Sequence, residues 1–160
     1  MKWGRKLKLH QILTFIFIIY IIGLLYITLL AWNYGASLGP AGPGGRNYNI
    51  IPFRSIYRIG VFSPSLVDPI RILIGNIVLF LPFGFLVPAL FSQLRKLIVV
   101  MVLGCLTSIS IEVSQFVFTH RVANIDDVIL NTLGVLIGYI AFSILYSLRR
   151  RIIVFMSSSL

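Results

Sequence analysis

The sequence contains few charged residues and a single cysteine, and each of these low counts excludes a class of protein. Charged residues make up only 11% of the 160 positions, whereas soluble domains carry roughly 25%, so a water-soluble globular fold could not cover its surface. The hydrophobic content of 58% excludes an intrinsically disordered chain, which needs low hydrophobicity and high charge. The single cysteine, Cys105, excludes an intrachain disulfide and a cysteine-based metal cluster.

Acidic residues are scarce in particular. Four acidic residues stand against 14 basic ones, which gives a formal net charge of +10. In a polar chain this balance would indicate nucleic-acid binding. Here the basic residues stand at the ends of long apolar runs, where they set membrane topology instead. We therefore expect membrane lipids around the protein and no nucleic-acid partner.

Four apolar runs reach the length of roughly 20 residues that a membrane-spanning helix needs. They occupy about residues 12–32, 72–91, 97–118 and 128–148. The first run follows basic residues as a signal peptide does, but it is longer than the roughly 7–15 residues of a signal-peptide core, so we interpret it as a membrane anchor. The segments between the runs are too short for a separate domain. The sequence therefore predicts an all-α integral membrane protein, a four-transmembrane-helix bundle that forms one domain over residues 1–160.

Lysine and arginine are divided unequally between the two ends of the predicted bundle. One end carries nine of them: Lys2, Arg5, Lys6, Lys8, Arg95, Lys96, Arg149, Arg150 and Arg151. The other end carries five: Arg46, Arg54, Arg58, Arg71 and Arg121. Because cytoplasmic flanks are the richer in Lys and Arg, we expect both termini in the cytoplasm and the loop 33–71 outside.

This outer loop is expected to hold a short interfacial helix near residues 49–60. Pro52 suits the first turn of such a helix. Helical spacing gives it an apolar face and a basic face, made of Phe53, Ile56 and Tyr57 on one side and Arg54 and Arg58 on the other. The two arginines either meet lipid phosphate and solvent or bind a specific anionic ligand, and the sequence leaves both interpretations open.

Polar residues recur along one face of the third span and along one face of the fourth. The stripes are Gly104, Ser108, Glu112, Gln115 and Thr119 in the third span, and Asp127, Asn131, Gly134 and Gly138 in the fourth. We interpret Gly134 and Gly138 as helix-packing positions, because a G-x-x-x-G spacing lets another backbone approach closely. The polar side chains, with Asn76 of the second span, are expected to meet at one depth in the outer leaflet.

A charge at this depth needs a partner or a proton, so two states stay open for Glu112. It either pairs with an arginine such as Arg121 or Arg58 and stays ionised, or it is protonated. The whole polar cluster is likewise open to two interpretations. It is either a clasp that holds the helices together or a site for binding or reaction.

Four ordered motifs lie within about residues 49–138. They are N-x-x-P-F from Asn49, N-I-V-L-F-L-P-F-G from Asn76, I-E-x-x-Q-F from Ile111, and D-V-I-L-N-T-L-G-x-x-x-G from Asp127. In this order they resemble the VanZ-like family of bacterial membrane proteins. The resemblance implies a multipass plasma-membrane protein and an association with resistance to the glycopeptide antibiotic teicoplanin. The chain departs from the family pattern at Asn124, where the resemblance leads us to expect an acidic residue, and this departure argues against several loop carboxylates acting together.

We expect a non-catalytic membrane factor that binds an anionic or polar envelope ligand at its outer face. The ligand would be a lipid headgroup, a lipid-linked wall precursor or a lipoglycopeptide, and arginine suits its phosphate or carboxylate because a guanidinium binds such groups through two parallel hydrogen bonds. The ligand-binding set is Asn49, Arg54, Arg58, Asn76, Glu112, Gln115, Arg121, Asp127 and Asn131.

Other functions stay open beside this one. An intramembrane enzyme could use Glu112 or Asp127 as general acid or base on a lipid-linked substrate, although the sequence has no zinc-protease, nucleophile-elbow or phosphate-loop motif. We expect no metal and no cofactor. A transporter fits less well, since the polar stripes end near the outer leaflet. A homo-oligomer could pack through Gly134 and Gly138.

Overall fold

The protein is built of helices with two very short strands. The computed structural model describes residues 2–31, 48–63, 67–119 and 121–158, so the first part of the expected outer loop lies outside the described residues. In chain order the elements are α1 (Lys2–Leu25) with a π-helical turn (Tyr26–Leu30), β1 (Tyr48–Asn49), α2 (Arg54–Phe62), α3 (Val67–Leu90), a 3-10 turn (Ser92–Leu94), α4 (Leu97–Phe118), β2 (Ala123–Asn124) and α5 (Ile125–Ser158).

Four of these helices are long and apolar enough to cross a membrane. The spanning segments are Leu7–Leu30, Pro69–Leu90, Leu97–Phe118 and Ile125–Arg149. The predicted all-α membrane protein with four spans is thus confirmed. The first and fourth spans begin before the expected residues 12 and 128, because the polar residues in front of each apolar run belong to the same helix.

The second and fourth spans pack closely, and glycine makes this approach possible. A Cβ atom at Gly134 would overlap the carbonyl oxygen of Ile77, and one at Gly138 would overlap that of Leu81. Gly84 of α3 lies in the same way against the backbone of Val135. Gly134 and Gly138 therefore lie against another helix of the same chain, which is the contact that a small residue in a membrane helix allows.

The first span is the least buried. In its most apolar stretch 11% of the residues are buried, against 39% in the second and fourth spans. Two contacts along its length join it to α3 and the segment after it. The Tyr20 hydroxyl donates to the carbonyl of Leu79 at 3.0 Å, and the ring of Phe17 meets that of Phe91 edge-on. Most of the apolar surface of α1 is left to face lipid.

The short strands join the outer loop to the segment in front of α5. β1 pairs with β2 in parallel, with Tyr48 opposite Ala123 and Asn49 opposite Asn124. This pairing was not predicted from the sequence, since two residues are too few for a strand pattern. It brings the start of α2 over the start of α5, at the end of the bundle where α4 finishes.

The expected interfacial helix is present as α2, but its start differs from the expectation. The helix begins at Arg54, so Pro52 lies before it rather than in its first turn. Phe53 stands at the boundary in the left-handed conformation, with φ of 63°. The physical reason is a carboxylate from α5, described below, that binds the first amides of α2 and fixes where the helix begins.

Candidate functional site

A buried aspartate of α5 caps α2. Asp126 is 1% exposed, and its carboxylate accepts hydrogen bonds from the backbone N–H groups of Phe53 at 2.5 Å, Ser55 at 2.7 Å and Ile56 at 3.2 Å. The first amides of a helix lack partners within the helix and carry a partial positive charge. The N-cap residue of α2, Phe53, makes no capping hydrogen bond through its own side chain. Asp126 of α5 caps the helix instead.

Asn124 is the centre of the polar network. Its Oδ1 accepts from the Asn49 side-chain amide at 2.9 Å, from the Ser55 hydroxyl at 3.2 Å and from the Asp126 amide at 3.2 Å. Its Nδ2 donates to Asp127 at 3.1 Å. Every polar atom of this side chain is therefore used to join β1, α2 and the first turn of α5.

Two further carboxylates lie next to Asn124 from opposite helices. Glu112 of α4 is 7% exposed and accepts the backbone N–H of Asn124 at 2.7 Å. Asp127 of α5 accepts from Asn124 and also from the side chain of Asn76 on α3, at 3.2 Å. Neutral amides thus connect Glu112, Asp127 and Asn76 across three spans. Two arginines were expected as partners of Glu112: Arg121 interacts with it electrostatically, and Arg58 is not among its hydrogen-bond partners in the part of the chain that is described.

Arg121 and Gln115 point towards the first span. Gln115 donates to the carbonyl of Thr28 at 2.8 Å. Arg121 donates to the same carbonyl at 2.5 Å and to the carbonyl of Ala31. These acceptors belong to the π-helical turn and the residue after it, where the helix ends and leaves carbonyls without helical partners. Arg121 therefore holds the C-terminal end of the first span, and its expected contact with a ligand stays a prediction.

Asn131 lies one helical turn deeper than Asp127 and is 3% exposed. Its Nδ2 donates to the hydroxyl of Ser108 on α4 at 2.8 Å. Its Oδ1 is buried and has no hydrogen-bond partner among the described residues. Asn131 thus forms the hydrogen bond between helices that such a residue makes in lipid, and it keeps one acceptor unused.

Arg54 and Arg58 lie on the outer surface. Both side chains are exposed, and neither guanidinium has a hydrogen-bond or ion-pair partner in the part of the chain that is described. They are four residues apart on α2, hence on one face of the helix. The capped amides of Phe53 and Ser55 flank Arg54, so its backbone position is fixed although its side chain is free.

The structure therefore brings most of the residues predicted to bind a ligand together in two groups, and it leaves two arginines outside both groups. Asn49, Asn76, Glu112 and Asp127 meet around Asn124, and Gln115 and Arg121 meet on the π-helical turn. Asn131 joins Ser108 below the first group. Arg54 and Arg58 stand apart on α2.

Sequence reasoning missed several members of these groups: Thr28, Ser55, Asn124 and Asp126. A signal existed for two of them. The letters N-I-D-D at 124–127 form a helix start, with an N-cap asparagine followed by acids in the first turn. The apolar run of the fourth span was expected to begin at residue 128 with Asp127 on its polar face, and residues 124–126 were therefore interpreted as loop.

The polar side chains of the site offer carboxylate and amide oxygens as possible metal ligands, but they form no cluster typical of a metal centre in the described part of the chain. Among the described residues, no group of three or more His, Cys, Asp and Glu side chains is arranged to hold a metal ion. The arrangement can hold α2 in place, present two guanidinium groups to the outside, and keep two carboxylates close together inside the bundle.

Comparison with known proteins gives a consistent family. A family model described as VanZ/LLP1 matches residues 17–146. Protein VanZ from Enterococcus faecium is 31% identical over 123 residues, which cover 75% of this chain and 66% of that protein. The matched part thus spans just under two thirds of the length of that relative. No solved structure matches the chain.

Proposed function

The chain belongs to the VanZ/LLP1 family, and on this premise we propose that it is an envelope factor of the bacterial plasma membrane that binds an anionic envelope ligand through Arg54 and Arg58. The ligand is a lipid headgroup, a lipid-linked wall precursor or a lipoglycopeptide. Binding at this position lowers the susceptibility of the cell to glycopeptides of the teicoplanin type. The protein itself catalyses no reaction in this proposal.

The observation that carries the proposal is the pair of free guanidinium groups on a fixed helix. Asp126 and Asn124 anchor the start of α2, while Arg54 and Arg58 are exposed on it. A guanidinium fork suits phosphate and carboxylate oxygens. Anchoring the backbone of α2 lowers the entropy that the helix loses on binding, which favours a specific ligand over diffuse attraction.

The apolar surface beside the arginines supports a ligand that has a lipid part. Phe53, at the boundary before α2, is 62% exposed, and Tyr57 on α2 is 64% exposed. Aromatic side chains at such a position favour the boundary between lipid and water. The anionic group of an amphipathic ligand would meet the arginines there, and its apolar chain would continue along the spans.

The orientation of the bundle belongs to the same proposal. The end that carries α2 is placed outside the cell, and both termini are placed in the cytoplasm, because nine of the 14 basic residues lie at the opposite end. An extracellular α2 is required if the ligand is a glycopeptide or a wall precursor that has been moved across the membrane.

The experiment compares three forms of the full chain in a bacterial host, at matched membrane levels. The double variant Arg54→Ala/Arg58→Ala should lose the reduction in teicoplanin susceptibility that the wild-type chain confers. Arg71→Ala is the matched control, since Arg71 is also exposed but lies at the start of α3. The proposal would be contradicted if the double variant reduced teicoplanin susceptibility as much as the wild type does. It would also be contradicted if the control Arg71→Ala lost this reduction to the same extent.

A direct binding measurement separates recognition from the cellular response. The purified wild-type chain in nanodiscs is titrated with labelled teicoplanin and, separately, with a labelled lipid-linked wall precursor. The double variant should bind at least one of these probes about tenfold or more weakly, because a charge-assisted contact contributes on the order of 1.5–3 kcal/mol. Equal affinity of both proteins for every probe would refute the role of the arginines.

A second candidate function is an intramembrane enzyme that acts on a lipid-linked substrate. The observation that favours it is the pair Glu112 and Asp127, which both bind the same residue, Asn124, through its backbone amide and its side-chain amide. Two carboxylates held close together in a span are unusual, and one of them could serve as acid and the other as base. Turnover of labelled envelope lipid by the purified wild type, abolished in Glu112→Gln, would support this function over simple binding.

A further inference from the structure

The end of the bundle away from α2 is basic and carries no acidic residue. The four acidic residues of the chain are Asp68, Glu112, Asp126 and Asp127. Asp68 belongs to the first turn of α3, Glu112 to the outer half of α4, and the other two to the first turn of α5. These positions all lie at the α2 end. No aspartate or glutamate of the sequence therefore lies beside the basic residues of the opposite end, which favours attraction of an anion from outside the chain.

One arginine at this basic end is held in a defined position. The Nε of Arg95 donates to the carbonyl of Pro88 at 3.1 Å, and Nη1 donates to the hydroxyl of Tyr146 at 3.2 Å. Its guanidinium also lies over the ring of Tyr146, 4.7 Å from the centroid. The Tyr139 hydroxyl donates to the backbone carbonyl of Arg95 at 2.7 Å. Contacts with α3 and α5 together fix the side chain and the backbone of Arg95.

The fixed guanidinium keeps donors free for a ligand. Arginine has five N–H donors, and Pro88 and Tyr146 use two of them, which leaves three without a partner in the described part of the chain. Stacking on an aromatic ring occupies the face of the guanidinium and leaves its edge open. An open edge with two parallel donors is the geometry that binds a phosphate through two hydrogen bonds.

Two more cations belong to the same end of the bundle. Lys96 follows it and is exposed. Arg149 is also exposed and lies three residues after Tyr146, on the same face of α5. α4 begins directly after Lys96, with no acid in its first turn and no side-chain cap, so its free amides add partial positive charge at the same place.

The apolar surroundings indicate where the phosphate comes from. Ile98 is 68% exposed and Phe91 is 42% exposed, on either side of Arg95 and Lys96. These side chains belong to or adjoin the ends of helices long and apolar enough to span a membrane, where exposed apolar surface favours contact with acyl chains. A group bound at Arg95 would therefore be the headgroup of a lipid whose tails lie along α3 and α4.

We propose that Arg95, with Lys96 and Arg149, forms a binding site for the phosphate of an anionic phospholipid headgroup at this basic end of the bundle. Arg95 contacts the phosphate through the edge of its guanidinium, and Lys96 and Arg149 add the charge that favours an anionic over a zwitterionic lipid. The site is separate from the arginines of α2 and does not depend on the function proposed for them.

The test measures lipid preference with the purified full chain in nanodiscs. Thermal unfolding is followed in discs of phosphatidylcholine alone and in discs with a fraction of phosphatidylglycerol, and bound lipid is counted by native mass spectrometry. The wild type should unfold at a higher temperature with phosphatidylglycerol and should retain it over phosphatidylcholine. Arg95→Lys keeps the charge but loses the fork, and Lys96→Gln/Arg149→Gln removes charge without touching the contacts of Arg95 to Pro88 and Tyr146.

Each variant should retain phosphatidylglycerol about tenfold less well than the wild type, and Arg71→Gln, which removes an exposed arginine at the other end, should retain it fully. No preference of the wild type for phosphatidylglycerol, or equal loss in Arg71→Gln, would overturn the proposal. A third arm adds inorganic phosphate to protein in phosphatidylcholine discs. Stabilisation by phosphate equal to that by phosphatidylglycerol would overturn the assignment to a lipid.

Discussion

The carboxylate that caps α2 gives the sharpest prediction. In Asp126→Asn one acceptor oxygen becomes an NH2 group, and the amides of Ser55 and Ile56, which both donate to Oδ2, lose their acceptor if the remaining oxygen stays on Phe53. The negative charge opposite the N-terminus of α2 is lost as well. The substitution is nearly isosteric, so the packing around this 1% exposed side chain is otherwise preserved.

The expected size follows from the contacts that are lost. Removing a helix cap costs about 0.5–2 kcal/mol, and hydrogen bonds to a charged acceptor contribute on the order of 1.5–3 kcal/mol each. The amides of α2 regain hydration when the helix start opens, so we expect a net loss near the upper value for a cap, about 2 kcal/mol. This corresponds to roughly a 30-fold shift towards the undocked helix, since every 1.4 kcal/mol is a factor of ten.

Hydrogen exchange measures this shift directly at the amides concerned. In the purified full chain the Ser55 and Ile56 amides should exchange about 30-fold faster in Asp126→Asn, while amides in the middle of α4 stay unchanged. Asp127→Asn is the matched control, because Asp127 binds Asn76 and Asn124 and none of the α2 amides. Equal exchange in Asp126→Asn and the wild type would refute the docking role, and equal acceleration in Asp127→Asn would show that any loss of charge loosens the helix.

Three further predictions concern the rest of the bundle. Gly134→Ala should lower the stability of the purified protein by about 1–3 kcal/mol in thermal unfolding, because the new methyl group overlaps the Ile77 carbonyl. The control Gly60→Ala, where a Cβ meets nothing within 4 Å, should leave stability unchanged apart from helix propensity. A larger loss of stability in Gly60→Ala than in Gly134→Ala would contradict the close packing at Gly134. Arg121→Gln should release the outer end of the first span and speed proteolysis there, and unaltered proteolysis would contradict its anchoring role. A reporter fused after Leu160 should read cytoplasmic, and an external signal would reverse the orientation.

The spans and part of the polar network were predictable because they depend on local pattern. A run of about 20 apolar residues is a spanning helix whatever surrounds it, and helical period alone places Glu112 one turn from Ser108 and Asp127 one turn from Asn131. The antiparallel order of α4 and α5 then brings Ser108 opposite Asn131, where the structure has a hydrogen bond of 2.8 Å.

The contacts that were not predictable depend on residues distant in sequence. Asp126 accepts a hydrogen bond from the Ser55 amide, 71 positions away in the sequence. The local sequence around neither residue indicates the other as its partner. Arg121 finds its acceptors only because the first span ends in a π-helical turn, and a wider turn leaves no signature in an apolar sequence such as Y-I-T-L-L. Asn124 was read as a departure from a family pattern, yet an aspartate there would lose the donor that meets Asp127.

The carboxylates and the arginines at the α2 end of the bundle have different partners, and this difference bears on function. Asp126 meets the amides that begin α2, and Glu112 meets the amide of Asn124, so both carboxylates satisfy partly buried backbone groups. A polar cluster used in this way needs no ligand to be stable in lipid. The guanidinium groups of Arg54 and Arg58 have no partner in the described part of the chain. An unpartnered positive charge on an anchored helix is suited to binding an anion. The proposed recognition of an anion therefore depends on α2, whereas catalysis would require Glu112 to do more than accept one amide.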